Sequence, residues 1–277
     1  MSLTELRYVK AVADRPDVIG VLSLNRADAA NALSAEMLQG MTRQLQQAAE
    51  HSHCRALVLR GHGKHFSAGA DLTWMRAAAE LDFAGNQRDA AILTKVFETL
   101  VNLPFPTIAM IHGSAFGGAV GLAACCDITI ATANARFCLS EVKLGLMPAV
   151  IMPYLARKMQ PGQLRRLAIN SMAFSGSQAH TYGLVQRLIQ EDDHGGDLAL
   201  REELEALLQG SPTAQKAVKV LHDRIVADGL KQGPHTAEGI AALRVSASGQ
   251  AGLKAFFAHE AAPWAIALTP NWRLDAP

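Results

Sequence analysis

His112-Gly113-Ser114-Ala115-Phe116-Gly117-Gly118-Ala119 lies inside a stretch, Thr99 to Cys126, that contains no Asp, Glu, Lys or Arg. As a membrane span it would be one apolar helix of roughly 20 residues; in a water-soluble core it is a buried strand, a glycine turn and a helix start. Pro104 and Pro106 precede it and Gly113, Gly117, Gly118 and Gly121 interrupt it. No Lys/Arg flank or second apolar span accompanies it, which favours the second reading. That reading predicts a strand over Thr107–Ile111 that bends through the glycines into a helix near Gly118. The unpaired N–H groups of the helix start would then face an anion or oxyanion above the turn.

The chain has 277 residues, enough for a large core in one principal domain with an appendage. It is 49% hydrophobic, 18% charged and 5% aromatic, the balance of a globular protein with close-packed, alanine-rich helices. A formal net charge of +1 gives no electrostatic reason to expect nucleic acid as the main partner. Met1-Ser2-Leu3-Thr4-Glu5 has neither a basic nor an apolar leader region, so a cytoplasmic protein is expected. Cys54, Cys125, Cys126 and Cys138 read as buried thiols rather than a disulfide framework. The clusters His51-Ser52-His53-Cys54 and His62…His65 lack a further ligand at metal-site spacing, so no metal is expected.

Residues 6–12 and 18–24 alternate as a hairpin around Asp14-Arg15-Pro16-Asp17. Ser34 is a helix N-cap, and Met37, Leu38, Met41, Leu45 and Ala48 recur at helical spacing behind it. Residues 56–59 read as a buried strand. Residues 72–102 read as helical after an irregular start, with Ile92, Leu93, Val96, Phe97 and Leu100 on one face. Strands Ile128–Thr132 and 137–139 follow. Repeated strand–helix–strand units imply an α/β core with a largely parallel sheet and right-handed crossovers. From about Val150 only helices are expected, with breaks at Pro161, Gly176 and Pro212; Ser211-Pro212 is a strong helix start. The division expected is 1–195 as core and 196–277 as helical subdomain.

Two glycine turns follow two strands: His65-Phe66-Ser67-Ala68-Gly69-Ala70-Asp71-Leu72, and His112 to Gly118. Turns at the carboxyl ends of neighbouring parallel strands converge at one sheet edge. If the N–H groups of Ala70 and Gly118 share a cavity, they form an oxyanion hole; such a donor is worth about 3 kcal/mol in the transition state. Glu141 is the only carboxylate between Asp127 and Glu191, and an acid alone among apolar neighbours suits a base with a raised pKa. The plainer alternative makes it a surface partner of Lys143 or Arg136. Ser67 as a nucleophile lacks the first glycine of G-x-S-x-G, because His65 stands there. Gly61-His62-Gly63-Lys64-His65-Phe66 fails the dinucleotide fingerprint at its last glycine.

In order along the chain, Asn25-Arg26-Ala27…Asn31-Ala32-Leu33, Phe66 to Leu72, His112 to Gly118, Cys126-Asp127-Ile128, Ser140-Glu141-Val142-Lys143-Leu144-Gly145, Phe174-Ser175-Gly176, Ala179…Tyr182-Gly183-Leu184-Val185 and Gly252…Phe256 resemble the crotonase, or enoyl-CoA hydratase/isomerase, superfamily. The resemblance implies a spiral core of ββα repeats with a C-terminal helical subdomain. It implies an acyl-CoA thioester as substrate, with CoA part of that substrate and no separate cofactor. Ala70 and Gly118 are then the donors to the thioester oxygen. Ala68, Asp71 and Leu72 match the segment along the adenine end of CoA, and Gly117 is a further substrate- or CoA-binding residue that the resemblance implies. Arg26 and Ala29 match the loop near the CoA phosphates. Family members form trimers, often paired as hexamers, and Phe256 matches a tail aromatic that meets CoA. Where many relatives carry a first glutamate, this chain has Gly121; where a lysine is common it has His259. The wording Phe116 to Leu122, Cys125 to Ile128 and Leu146-Met147-Pro148-Ala149 resembles the methylglutaconyl-CoA and isohexenylglutaconyl-CoA hydratases of leucine and acyclic-terpene breakdown. Hydration of an enoyl-CoA is the expected reaction, double-bond isomerisation the alternative. An RNA-binding role would need a basic stripe, for which Arg157-Lys158 and Arg165-Arg166 are the local candidates.

Overall fold

The computed structural model describes residues 2–190, 195–229, 233–270 and 272–275. β1 (Thr4–Lys10) and β2 (Val18–Leu24) form the expected antiparallel hairpin, with Thr4 opposite Leu24 and Lys10 opposite Val18. The first strand ends earlier than its alternation suggests because the Ala11 N–H donates to Asp17 O (3.0 Å) and closes the loop. β2 then continues in parallel register with β3 (Cys54–Gly61), β4 (Thr107–Ile111), β6 (Ile128–Thr132) and β9 (Arg187–Ile189), in the order β1-β2-β3-β4-β6-β9. Every residue of β2 is buried, as both faces of a parallel sheet are covered.

One face packs against α1 (Ala35–Glu50), α3 (Phe83–Val101) and α4 (Gly118–Cys125). Ser34 caps α1 by accepting the Met37 N–H (3.2 Å), and Met37, Leu38, Met41, Leu45 and Ala48 are all buried on its inner stripe. The other face packs against α8 (Gly195–Gln209), through Leu200, Leu204 and Leu208, and against a closing segment that carries Ile266, Leu268, Trp272 and Leu274. Trp272 Nε1 donates to Lys10 O (3.1 Å), so the end of the chain is fastened to its first strand. The division expected at 195/196 therefore falls at the first residue of α8, next to residues 191–194, which lie outside the described ones.

A second, smaller sheet sets the site. β5 (Ser114–Phe116) pairs with β7 (Arg136–Cys138), which pairs with β8 (Phe174–Ser175). Ser67 bridges Ala115, so Ser67, Ala115, Phe137 and Phe174 form successive rungs from four separate parts of the chain. β3, β4 and β6 are thus each followed by a short small-sheet segment (Ser67, β5 and β7) and then a helical turn or helix, the ββα spiral of the crotonase-like fold.

Two expectations are corrected. The run after Val150 is not helical throughout, since β8 and β9 lie within it; strands of two and three residues are too short to leave a period in sequence. Residues 72–102 divide into α2 (Leu72–Ala79) and α3, because Asp82 caps a new helix by accepting the Gly85 N–H (2.7 Å). Pro161, Gly176 and Pro212 instead begin helices as expected: α6 (Pro161–Asn170), α7 (Gly176–Thr181) and α9 (Pro212–Asp228), which follow α5 (Met152–Lys158). α10 (Gly233–Val245) and α11 (Ala247–Ala258) pack on each other, and α9 buries no residue fully. Among the described residues no helix is long and apolar enough to cross a membrane.

Candidate active site

The two glycine turns lie side by side because the chain pairs across them. Ser67 N donates to Ser114 O (3.0 Å) and Phe116 N to Ser67 O (3.2 Å). Gly69, at φ +94, runs so close to Phe116 that a Cβ there would stand 2.8 Å from the Phe116 carbonyl oxygen. On the far side, Leu33 N donates to Gly69 O (2.7 Å) and Asp71 N to Leu33 O (3.0 Å). This parallel bridge engages the groups on either side of Ala70 and leaves the Ala70 N–H uncommitted among the described residues.

Gly118 is the first residue of α4, so its N–H has no intrahelical acceptor, and no side chain caps the helix. A Cβ on Gly118 would stand 3.2 Å from Leu33 Cδ1, the residue bridged to Ala70. Both free donors therefore flank Leu33. Gly117, at φ +51, donates its N–H to Cys138 O (2.9 Å), tying α4 to the end of β7.

Three residues beyond Cys138, Glu141 starts a 3-10 turn (Glu141–Leu144) and brings its carboxylate back over the same glycines. A Cβ at Gly117 would meet Glu141 Oε1 at 3.3 Å. Glu141 Oε2 is buried without a hydrogen-bond partner, and no ion pair with Lys143 or Arg136 forms. Desolvation raises the Glu141 pKa above the usual carboxylate range. The surface-partner alternative is thereby set aside.

Gly121, one turn along α4, is a glycine for a packing reason. A Cβ there would stand 2.4 Å from Ile151 Cγ2 and 2.9 Å from Phe97 Cζ, both side chains being fully packed in the core. The wall where a second acid could stand is thus filled by hydrocarbon.

The loop before α1 is held by groups whose task the sequence did not disclose. Asn31, buried and at φ +53, accepts the Arg26 N–H (2.8 Å) and donates to His62 O (2.8 Å) and His65 O (2.9 Å). An Asn tolerates this left-handed backbone, and a lone amide between alanines ahead of a capped helix is the only sign of it in sequence. The Asp71 carboxylate caps α2 by accepting from Thr73 N (2.8 Å) and Trp74 N (3.0 Å), and it pairs with Arg26 (2.6 Å). These bonds, the Trp74 amide first and the guanidinium next, hold its pKa below the usual range. Arg26 and Asp71, both expected along CoA, thus engage one another, while Ala29 ends a 3-10 turn (Ala27–Ala29) beside them.

Ala68 and Leu72 are exposed at the same edge, Leu72 by 71%. Phe256 lies on α11, 72% exposed, edge-on to Phe257 at 5.6 Å. Ser67 is buried and donates its hydroxyl to Asn31 O (2.7 Å), so it presents no nucleophile. The basic pairs offered for RNA are partly engaged elsewhere, Arg157 on Asp223 and the Lys158 ammonium on Ala123 O and Thr129 Oγ1 (3.4 Å each). All four cysteines are free and buried, and no cluster of three metal-ligating side chains occurs among the described residues.

Residues 14–265 match the enoyl-CoA hydratase/isomerase family. A putative enoyl-CoA hydratase of Thermus thermophilus is 31% identical over 241 residues, covering 86% of this chain and 94% of its own. The short-chain-enoyl-CoA hydratase of Clostridium acetobutylicum is 30% identical over 210 residues, covering 75% and 78%. The crystal structure of an enoyl-CoA hydratase from Shewanella pealeana superposes with a TM-score of 0.88 at 37% identity, covering 95% of this chain and 96% of that one. The chain belongs to the enoyl-CoA hydratase/isomerase family and is an enzyme of that family.

Proposed function

We propose that this enzyme adds water across the α,β double bond of an acyl-CoA thioester. The observation that carries the reading is the Glu141 carboxylate, its Oε2 unpartnered, beside the start of α4, where the uncommitted Gly118 N–H lies across Leu33 from that of Ala70. Those two N–H groups hold the thioester oxygen as it gains charge. Water attacks C3, one of its protons passes to Glu141, and the electron pair of the double bond moves into the thioester enolate. Glu141 then returns the proton to C2 and the thioester carbonyl re-forms. One acid serves both transfers, which the hydrocarbon plug of Ile151 and Phe97 at Gly121 supports.

The substrate we favour is a branched glutaconyl-CoA, methylglutaconyl- or isohexenylglutaconyl-CoA, from leucine or acyclic-terpene catabolism; the sequence wording around Gly118 and Met147 supports it. A cytoplasmic homotrimer or dimer of trimers is part of the same reading, with Phe256 of a neighbouring tail closing the CoA site. The 72% exposure of Phe256 in the single chain accords with that. Isomerisation of a 3-enoyl-CoA is the second reading, because one base that shuttles one proton between two carbons also needs only Glu141. A panel of 2-enoyl- and 3-enoyl-CoA thioesters, followed by mass spectrometry, separates them. The hydratase converts the 2-enoyl thioesters with the gain of one water, fastest for the branched glutaconyl members. Conversion of the 3-enoyl thioesters without water uptake identifies the isomerase instead.

A further inference from the structure

A cavity of about 510 Å³ opens at the opposite end of the sheet from Glu141, where β4 and β6 begin and α9 crosses the ends of α4 and α5. Its lining is largely apolar, with Val101, Ile128, Leu207 and Val218 prominent. Two carboxylates reach it, and each is already matched. Asp127 Oδ2 accepts from Thr107 N (2.8 Å), Thr107 Oγ1 (2.9 Å) and Lys219 Nζ (2.8 Å). Asp223 pairs with Arg157.

Lys158 is the cation left over. Its ammonium donates only to Ala123 O and Thr129 Oγ1, both at 3.4 Å, and no carboxylate lies within ion-pair distance of it among the described residues. The residue as a whole is half-buried because the cavity admits solvent, yet desolvation lowers the ammonium pKa from the usual lysine value. A lysine in such surroundings is costly unless an anion answers it. The bond to Ala123 O serves the end of α4, and the Asp127 carboxylate, already bonded to Thr107 and Lys219, acts on the Lys158 charge only through space.

We propose that this cavity binds a small amphipathic carboxylate, the carboxylate on Lys158 and the hydrocarbon body against Val101, Ile128, Leu207 and Val218. The volume lies within the range of roughly 300–1,000 Å³ in which proteins enclose small organic ligands. A largely apolar wall with one more Lys/Arg cation than carboxylates, and no ion pair at Lys158, suits a fatty-acid-like anion better than a phosphate, whose several charges ask for several donors. The ligand would sit between α9 and the core, away from the thioester site, and would brace the helix on which α10 rests.

Calorimetric titration of the full-length protein with octanoate and with octan-1-ol tests this, using wild type, Lys158→Met and Glu141→Gln. Octanoate binds wild type and Glu141→Gln equally, binds Lys158→Met roughly 10- to 100-fold more weakly, and outcompetes octan-1-ol by a similar factor. Ala214→Phe, which fills the cavity from α9, abolishes binding and carries the test if Lys158→Met does not fold. Absence of octanoate binding at about millimolar concentration overturns the proposal, as does equal affinity in Lys158→Met. Displacement of octanoate by an acyl-CoA, or its loss in Glu141→Gln, overturns it too, by placing the ligand at the thioester site. Failure of the hydratase reading alone would leave the octanoate result unchanged.

Discussion

Glu141, to which both proposed proton transfers fall, is also a group that desolvation makes costly. Its pKa is higher in the folded protein than in the unfolded chain, so folding favours the protonated carboxyl. Its contribution to stability is complete below the ordinary carboxylate range and is lost as pH rises through the folded value. Glu141→Gln is therefore expected to raise the denaturant midpoint at neutral pH, a gain that fades in acid, while kcat falls by about 10²- to 10⁴-fold. Paired denaturation and rate measurements across pH check both halves; a variant that is less stable at neutral pH contradicts a desolvated carboxylate with Oε2 unpartnered. Gly121→Ala, with Ile151 Cγ2 only 2.4 Å from the new Cβ, is expected to cost roughly 1–3 kcal/mol. Ile151→Ala in the same chain should recover part of that loss, a coupling that a double-mutant cycle reads directly.

At the scale of elements, the donor proposed for the thioester oxygen is a helix start, at Gly118, rather than a side chain. A proline is tolerated at the first helical position and removes the N–H without removing the helix. Gly118→Pro is thus expected to keep the melting profile near that of wild type and to lower kcat by about 10²- to 10³-fold, as deletion of one oxyanion donor does. A variant with unchanged kcat would place the oxyanion elsewhere. Much of this level was legible in the chain itself. Ser34 with its apolar stripe, Thr107–Ile111, Ile128–Thr132 and the helix starting at Gly118 all stand where periodicity and glycine spacing put them. β8 and β9 were not legible, because their two and three residues gain stability only from pairing with β7 and β6. Nor was the short β5 within the glycine turn, or the capping of α2 by Asp71. The void at Gly121 reads as a missing acid in sequence and as a filled wall in three dimensions, since only packing brings Ile151 to it.

Across the whole molecule, the sheet is fastened at both ends of the chain, α9 is tied to the core by its Lys219–Asp127 and Asp223–Arg157 pairs, and α10 packs on α9 and α11. Phe256 and Phe257 are 72% and 74% exposed on α11, apolar surface that suits the subunit contact proposed above. Phe256→Asp with Phe257→Asp is expected to shift sedimentation toward the single-chain mass and to raise KM for the CoA substrate more than it lowers kcat; an unaltered assembly would remove the tail from the proposed interface. The central claim is that two backbone amides and one lone acid meet across a single thioester. It is tested most directly by a crystal structure of Glu141→Gln with an enoyl-CoA bound. The account predicts the thioester oxygen about 2.7–3.1 Å from both Ala70 N and Gly118 N, with the substituted side-chain amide at position 141 over C2 and C3. A thioester oxygen that contacts neither backbone amide, or a side chain at position 141 turned away from the double bond, would contradict it.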